Sequence, residues 1–292
     1  VNIPFLRQDE AEYGRAQNVA PGVRRVLCQN PGPFTWRGTN SYIVGEGRVA
    51  IIDPGPADEA QLAALLEATA GEVVTHIIIS HTHRDHSPGA KALQALTGAQ
   101  TYGFGPHMTP REAGGEGGDH DFKPDVRVAD NEEIAGDGWR LTALHTPGHC
   151  ANHLCFGMEG NGVLFSADHV MSWSTTVVSP PDGNMRAYMN SLARLRDREG
   201  QDSLYLPGHG PPLAEPMPFL DALAVHRRRR EARVVAALRE VGPSTALALV
   251  GPVYGPMDPK LVGAASRSLL ANLEMLAEEG VVTREGDAWA MA

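Results

Sequence analysis

The chain reads as a layered α/β domain followed by a small, mostly helical unit with the outline of a winged helix. Three observations predict this. Short apolar runs with strand character alternate with helical runs over the first two thirds of the sequence. Histidines and aspartates cluster where the strand runs end. Composition then shifts after "GHGPPLAEPMP" (208–218), whose four prolines mark a boundary, and the pattern beyond it is helical. The division falls at 1–216 for the first domain and 217–292 for the second.

In chain order, "TNSYIVGEGRVAIIDPG" (39–55) predicts two strands about a turn at Gly45 to Gly47. "DEAQLAALLEATAG" (58–71) is an amphipathic helix with Gly71 as its stop. "EVVTHIIIS" (72–80) is a buried strand, rich in β-branched residues, and "SPGAKALQALTGAQ" (87–100) a helix. The Gly-rich stretch 103–121 reads as a mobile loop. Strands return at "WRLTALHT" (139–146), "HLCFGME" (153–159) and "GVLFSADHV" (162–170). A helix fits "NMRAYMNSLARLRDRE" (184–199), and "SLYLPGHG" (203–210) is a strand running into a loop. In the tail, helices fit 219–242, 244–255 and 261–280, followed by a hairpin at "VVTREGDAWAM".

Composition bounds the function. A hydrophobic content of 42% supports a sizeable core, and no apolar stretch approaches the roughly 18 residues that cross a bilayer, so no membrane partner is expected. The first residues carry early charges and no apolar h-region, which argues against a secretory leader, although no starting Met is present. Cys28, Cys150 and Cys155 form an odd, sparse set without ribbon spacing, which suggests reduced thiols and a cytoplasmic location. The net charge of -10 opposes non-specific nucleic-acid binding.

The chemistry is concentrated in "SHTHRDHSPGA" (80–90). Neutral imidazole and carboxylate are zinc ligands. His81 and His83 alternate about Thr82 and project to one side, while Asp85 and His86 lie a turn onward. This loop cannot complete two sites alone. His149 in "TPGH", Asp168 in "SADH" and His209 in "LPGHG" each follow a strand, as His81 does. Counting assigns His81, His83 and His149 to one metal, and Asp85, His86 and His209 to a second, with Asp168 bridging. Two Zn2+ are expected, with Fe or Mn able to take similar ligands. A hydroxide shared by the two ions would attack a carbonyl carbon or a phosphorus. Asp85 and Asp168 are the catalytic candidates, Asp85 as orienter and proton acceptor for the nucleophile.

Among the remaining residues, Asp53 in "IIDPG" is a candidate to orient a ligand or else a turn former. His153 and His169 are candidate substrate contacts, being close in sequence to His149 and Asp168. His76 and His145 read as packing residues, and His107 and His120 as solvated in the loop. Cys150 reads as a small buried residue. The run Arg227 to Arg230 goes around all faces of a helix, so some of it must point inward or toward the first domain; the run reads as part of a solvated helix paired with Glu231 and Glu240 rather than an RNA contact.

The HxHxDH motif with its three outlying ligands resembles the metallo-β-lactamase superfamily over about residues 29–212. "NPGPFTWRGTNSYIVGEGRVAIIDPG", "THRDHSPGA", "TPGH", "TTVV…YMNSL" and "HRRRRE…LLANLEMLAEEGVV" resemble more narrowly the beta-lactamase-like subgroup with an appended winged-helix domain. Ala167 departs from the usual Gly before the bridging Asp, Pro88 stands where Gly is common, and His169 follows the bridging residue. The resemblance implies a four-layer αββα sandwich and a hydrolase of esters, thioesters, lactams or phosphodiesters. One animal member of the subgroup is a mitochondrial endoribonuclease, so single-stranded RNA is an alternative substrate. The non-enzymatic alternative is a winged helix that binds nucleic acid or a partner on a zinc scaffold. The segment 264–280 carries one Arg and three Glu, which favours dimerisation or covering of the active-site mouth over DNA reading.

Overall fold

The computed structural model describes residues 2–113 and 117–292; part of the loop expected at 103–121 lies outside the described residues. A seven-stranded sheet holds, in spatial and sequence order, β1 (Ala16–Ala20), β2 (Val23–Leu27), β3 (Asn40–Val44), β4 (Arg48–Ile52), β5 (Val73–Ile78), β6 (Gln100–Gly103) and β7 (Val126–Arg127). A six-stranded sheet holds β8 (Glu133–Gly136), β9 (Trp139–His145), β10 (Leu154–Met158), β11 (Val163–Ala167), β12 (Leu204–Pro207) and β13 (Leu213–Ala214), in consecutive order.

Period-two side-chain alternation explains how the two sheets stack. Tyr42 and Val44 of β3, Ala50 and Ile52 of β4, and Ile78 point into the space between the sheets, where they meet Leu141, Ala143, Leu154, Phe156 and Phe165. The intervening residues Ile43, Val49, Ile51 and Ile77 point the other way, onto α1 (Glu59–Ala68) and α2 (Gly89–Thr97). On the far side, Leu144, Cys155 and Leu164 meet α3 (Met185–Arg196) and the first half of α4 (Pro216–Val241). The result is the expected αββα order of layers. A strand buried on both faces can carry apolar residues in succession, as 49–52 of β4 does; all five residues of β3 are buried as well.

The tail consists of the second half of α4, α5 (Val250–Tyr254), α6 (Val262–Glu278) and the antiparallel hairpin β14 (Val282–Glu285) and β15 (Ala288–Met291). The helix expected over 244–255 is shorter than that, beginning only at Val250. Val234, Ala237 and Leu238 join Leu249, Leu269, Leu273 and Trp289 in a core of the tail's own. Phe219, Leu220 and Leu223, earlier on the same helix, pack in the core beneath the six-stranded sheet.

Of the four consecutive arginines, Arg227 is buried, Arg230 is half-buried beneath Tyr254, and Arg228 and Arg229 are exposed. A solvated surface therefore describes only part of the run, and Arg227 is one of the inward-pointing members it required. Among the described residues no helix is long and apolar enough to cross a membrane. Cys28, Cys150 and Cys155 are free and buried.

Candidate metal centre

The chemistry-bearing residues gather at one edge of the sandwich, where strands of both sheets end. His81, His83, Asp85 and His86 follow β5, His149 follows β9, Asp168 follows β11 and His209 follows β12. The β12 loop is fastened across the sheets: Asn40 Nδ2 donates to Pro207 O and Gly210 O, each at 2.8 Å, and Tyr42 Oη donates to Pro207 O at 2.7 Å. Gly208 is required by close approach, since a Cβ there would come within 2.3 Å of Asp168 Oδ1.

Hydrogen bonds on the outer side of His81, His86, His149 and His209 fix which nitrogen of each faces inward. His149 Nδ1 bonds Val177 O at 2.7 Å, and His209 Nδ1 bonds Gly38 O at 3.1 Å. A carbonyl only accepts, so both Nδ1 atoms carry a proton and both Nε2 atoms face inward. Asp53 does the same for two others. Its carboxylate lies 3.0 Å from His86 Nδ1 and accepts from the Ser80 hydroxyl at 2.5 Å, leaving that hydroxyl oxygen to accept from His81 Nδ1 at 2.9 Å. Asp53 thus orients ligands, one of its two expected roles.

The inward atoms form two sets. His81 Nε2 and His149 Nε2 lie 3.1 Å and 2.9 Å from His83 Nδ1. Donors around a tetrahedral ion with bonds of about 2 Å stand roughly 3.3 Å apart, so this spacing fits one cation. Lone pairs that close repel each other without one. The second set is Asp85, His86 and His209: Asp85 Oδ2 lies 3.1 Å from His209 Nε2 and 3.6 Å from His86 Nε2. Asp168 stands between the sets, with Oδ2 at 3.6 Å from His149 Nε2 and 3.4 Å from His209 Nε2, and Oδ1 at 3.5 Å from His86 Nε2. His86 Nε2 and Asp168 Oδ1 are buried without a hydrogen-bond partner. Such orphans, among converging donors, fit a metal pair.

The two sets hold protons differently. Burial and the neighbouring His149 push His83 down to about 3, and burial with His86 and His83 nearby lowers His81 well below the usual imidazole range. Burial works against the charge on His209 too, but Asp168 and Asp85 outweigh it and raise His209 to about 10. His86 is raised by the same two carboxylates against its burial. Asp85 and Asp168 are lowered by these histidines, although burial opposes their charge.

His153 and His169, expected to contact substrate, are fully buried, and neither is among the residues that line the cavity. His153 instead accepts the Asp168 backbone N–H on Nε2 at 3.2 Å and meets Thr146 Oγ1 at 2.9 Å through Nδ1. The His169 ring packs tilted against Tyr188 with centroids 4.6 Å apart. His107, expected in solvent, is held by Thr82 Oγ1 at 2.9 Å and lines the cavity. Cys150 is buried, and burial pushes its thiol well above the usual range.

The cavity over the two sets has a volume of about 320 Å³. His83, Asp85, His149, Asp168 and His209 line it beside Phe34, Met171, Val177, Asp182 and, from α6, Arg267. Phe34 is 49% exposed, so the mouth has an apolar lip. No motif marks Asp182 or Arg267, which arrive from a distant loop and from the tail.

Comparison with known proteins agrees with this architecture. Residues 34–209 match the Metallo-beta-lactamase superfamily, and residues 245–289 match the Beta-lactamase associated winged helix domain. A Beta-lactamase-like protein 2 homolog of Caenorhabditis elegans is 28% identical over 271 residues, 91% of this chain and 88% of that one. An Atrochrysone carboxyl ACP thioesterase of Aspergillus chevalieri is 31% identical over 230 residues, 77% and 68% of the two chains. A solved metallo-beta-lactamase family protein from Thermus thermophilus superposes with a TM-score of 0.78 at 25% identity, over 94% of this chain and 100% of that one. With its ligand-bearing sandwich matched through most of its length, the chain belongs to the metallo-beta-lactamase superfamily and carries that family's associated winged-helix domain.

Proposed function

We propose that the chain is a dinuclear metal-dependent hydrolase of acyl thioesters or esters. The observation that carries this is the pair of donor sets, with ring nitrogens turned inward and Asp168 between them, lining a small cavity with an apolar lip. Zinc suits the imidazole and carboxylate donors, and iron or manganese accept similar ones. Two such ions would supply Lewis acidity and a water acidified into the neutral range.

The chain's own residues do the rest. Asp85, whose side chain is 28% exposed, borders the cavity and can take the nucleophile's proton. Phe34, Met171 and Val177 offer an apolar wall to an acyl chain. Arg267 contributes positive charge to a site otherwise rich in carboxylates, which suits a phosphate-bearing carrier thiol. The thioesterase name of the Aspergillus chevalieri relative points to the same substrate class. Single-stranded RNA is opposed by the net charge of -10 and by an aromatic lining with little beyond Phe34 on which bases could stack.

The test is turnover by zinc-loaded protein of acyl-coenzyme A thioesters, a chromogenic lactam and unstructured RNA, beside Asp168→Ala. Thioester cleavage by the native protein alone supports the reading. RNA cleavage without thioester cleavage overturns the substrate class, and equal rates in the two proteins overturn the assignment of the centre.

A further inference from the structure

Arg227 is 7% exposed, and no carboxylate pairs with it among the described residues. A buried guanidinium without a counter-charge is costly. Its partners are Thr176 O, to which Nη2 donates at 2.5 Å, and the Tyr188 ring, whose centroid lies 4.8 Å from the guanidinium carbon. Nε is buried without a partner.

The acceptor has a particular place. Thr176 Oγ1 donates to Asp168 O at 2.8 Å and to His169 O at 3.0 Å. The next residue, Val177, provides the carbonyl that fixes the proton of His149 on Nδ1. Tyr188, beneath the guanidinium, donates its hydroxyl to His169 O at 3.2 Å. Both contacts of the guanidinium therefore lead to the segment 168–177, which carries Asp168 and orients His149. Arg227 itself belongs to α4, the helix that continues into the tail.

We infer that Arg227 is a positioning residue for the metal centre, acting through Thr176 on Asp168 and through the adjoining Val177 carbonyl on His149. The inference rests on the metal-centre reading above. A guanidinium whose only role is to dock α4 on the sandwich would affect stability alone. One that holds this segment also sets the spacing between the Asp168 carboxylate and His149 Nε2, which lie 3.6 Å apart. Outer partners of metal ligands commonly contribute about 10–100-fold to affinity.

The experiment is cobalt and zinc binding by the full chain, read by chelator competition and by the visible spectrum of the cobalt form. Native protein is compared with Arg227→Met, Thr176→Val and the double variant, and the melting temperature of each metal-free protein is recorded. Thr176→Val removes the hydroxyl link while leaving the backbone carbonyl for Arg227, so it serves even if Arg227→Met fails to fold. The expected result is an affinity loss of about tenfold in each single variant, an altered cobalt spectrum, and little further loss in the double. Native-like affinity and spectrum in a folded Arg227→Met overturn the inference, and in Thr176→Val they overturn its route through the Thr176 hydroxyl to Asp168; either leaves the metal centre standing. Failure of the native protein to bind either metal overturns both.

Discussion

The two halves of the candidate metal centre, one of three histidines and the other of two histidines and an aspartate, keep opposite proton inventories. His81, His83 and His149 face each other, and burial and mutual repulsion keep His81 and His83 uncharged. Asp85 and Asp168 raise the neighbouring His86 and His209, so the second half favours protonated imidazoles when no metal is bound. The first half is a ready ligand set. The second must give up protons before it can coordinate, because only a free lone pair binds metal. Two carboxylates therefore bias where charge resides without metal.

The largest test removes what the halves have in common. Asp168→Ala deletes the carboxylate between them, and turnover is expected to fall on the order of a thousandfold or more, with metal content dropping towards one ion per chain. Elemental analysis beside steady-state rates checks this; two retained ions would separate Asp168 from bridging. Next is Asp53→Ala, which frees the outer nitrogen of His86 directly and that of His81 through Ser80. Both halves should lose affinity by about 10–100-fold, measured by competition with a chelator. Loss confined to one half would show that Ser80 alone suffices for His81.

A subtler test follows the protons. His209, raised from 6.5 to about 10, stabilises the metal-free fold fully below pH 6.5, and that contribution is lost as pH rises through 10. His83, lowered from 6.5 to about 3, acts in the opposite sense: between these values the unfolded chain binds the proton and the folded one does not, so stability falls as pH drops. Metal-stripped protein should melt highest near pH 6.5, with lower midpoints on both sides. The second metal equivalent, unlike the first, should release protons, which calorimetry in buffers of different ionisation enthalpy would detect. The smallest effect is expected at Ala167, held at φ 42. Ala167→Gly should relieve about 1 kcal/mol of left-handed strain, part of it returned as chain entropy, and move the urea midpoint only slightly upward.

That left-handed backbone gives a physical reason for the glycine that the family resemblance leads one to expect at Ala167, before Asp168. Most of the candidate site was legible because its residues sit at the ends of strand runs such as Val73–Ile78, where periodicity fixes the strand and the strand end fixes the loop. Legibility stopped where direction depends on packing. His153 and His169 are close in sequence to ligands yet turn inward, since proximity along a loop does not set which way a side chain faces. The first strand, "AQNVA", is largely exposed and mixed in polarity, so it carries no periodic signal. His107 is placed by Thr82, a partner 25 residues away. The arginine run shows the same limit: four identical residues cover every face of a helix, and only the docked sandwich singles out Arg227.

Helix α4 has a thermodynamic consequence. Phe219 to Leu223 anchor one end of it in the sandwich, and Val234 to Leu238 anchor the other in the tail, along 26 uninterrupted residues. Neither core can melt without fraying a helix that the other needs intact. Two hydrophobic cores of unequal size would ordinarily give two calorimetric transitions; joined through one rigid rod, they should give a single cooperative peak.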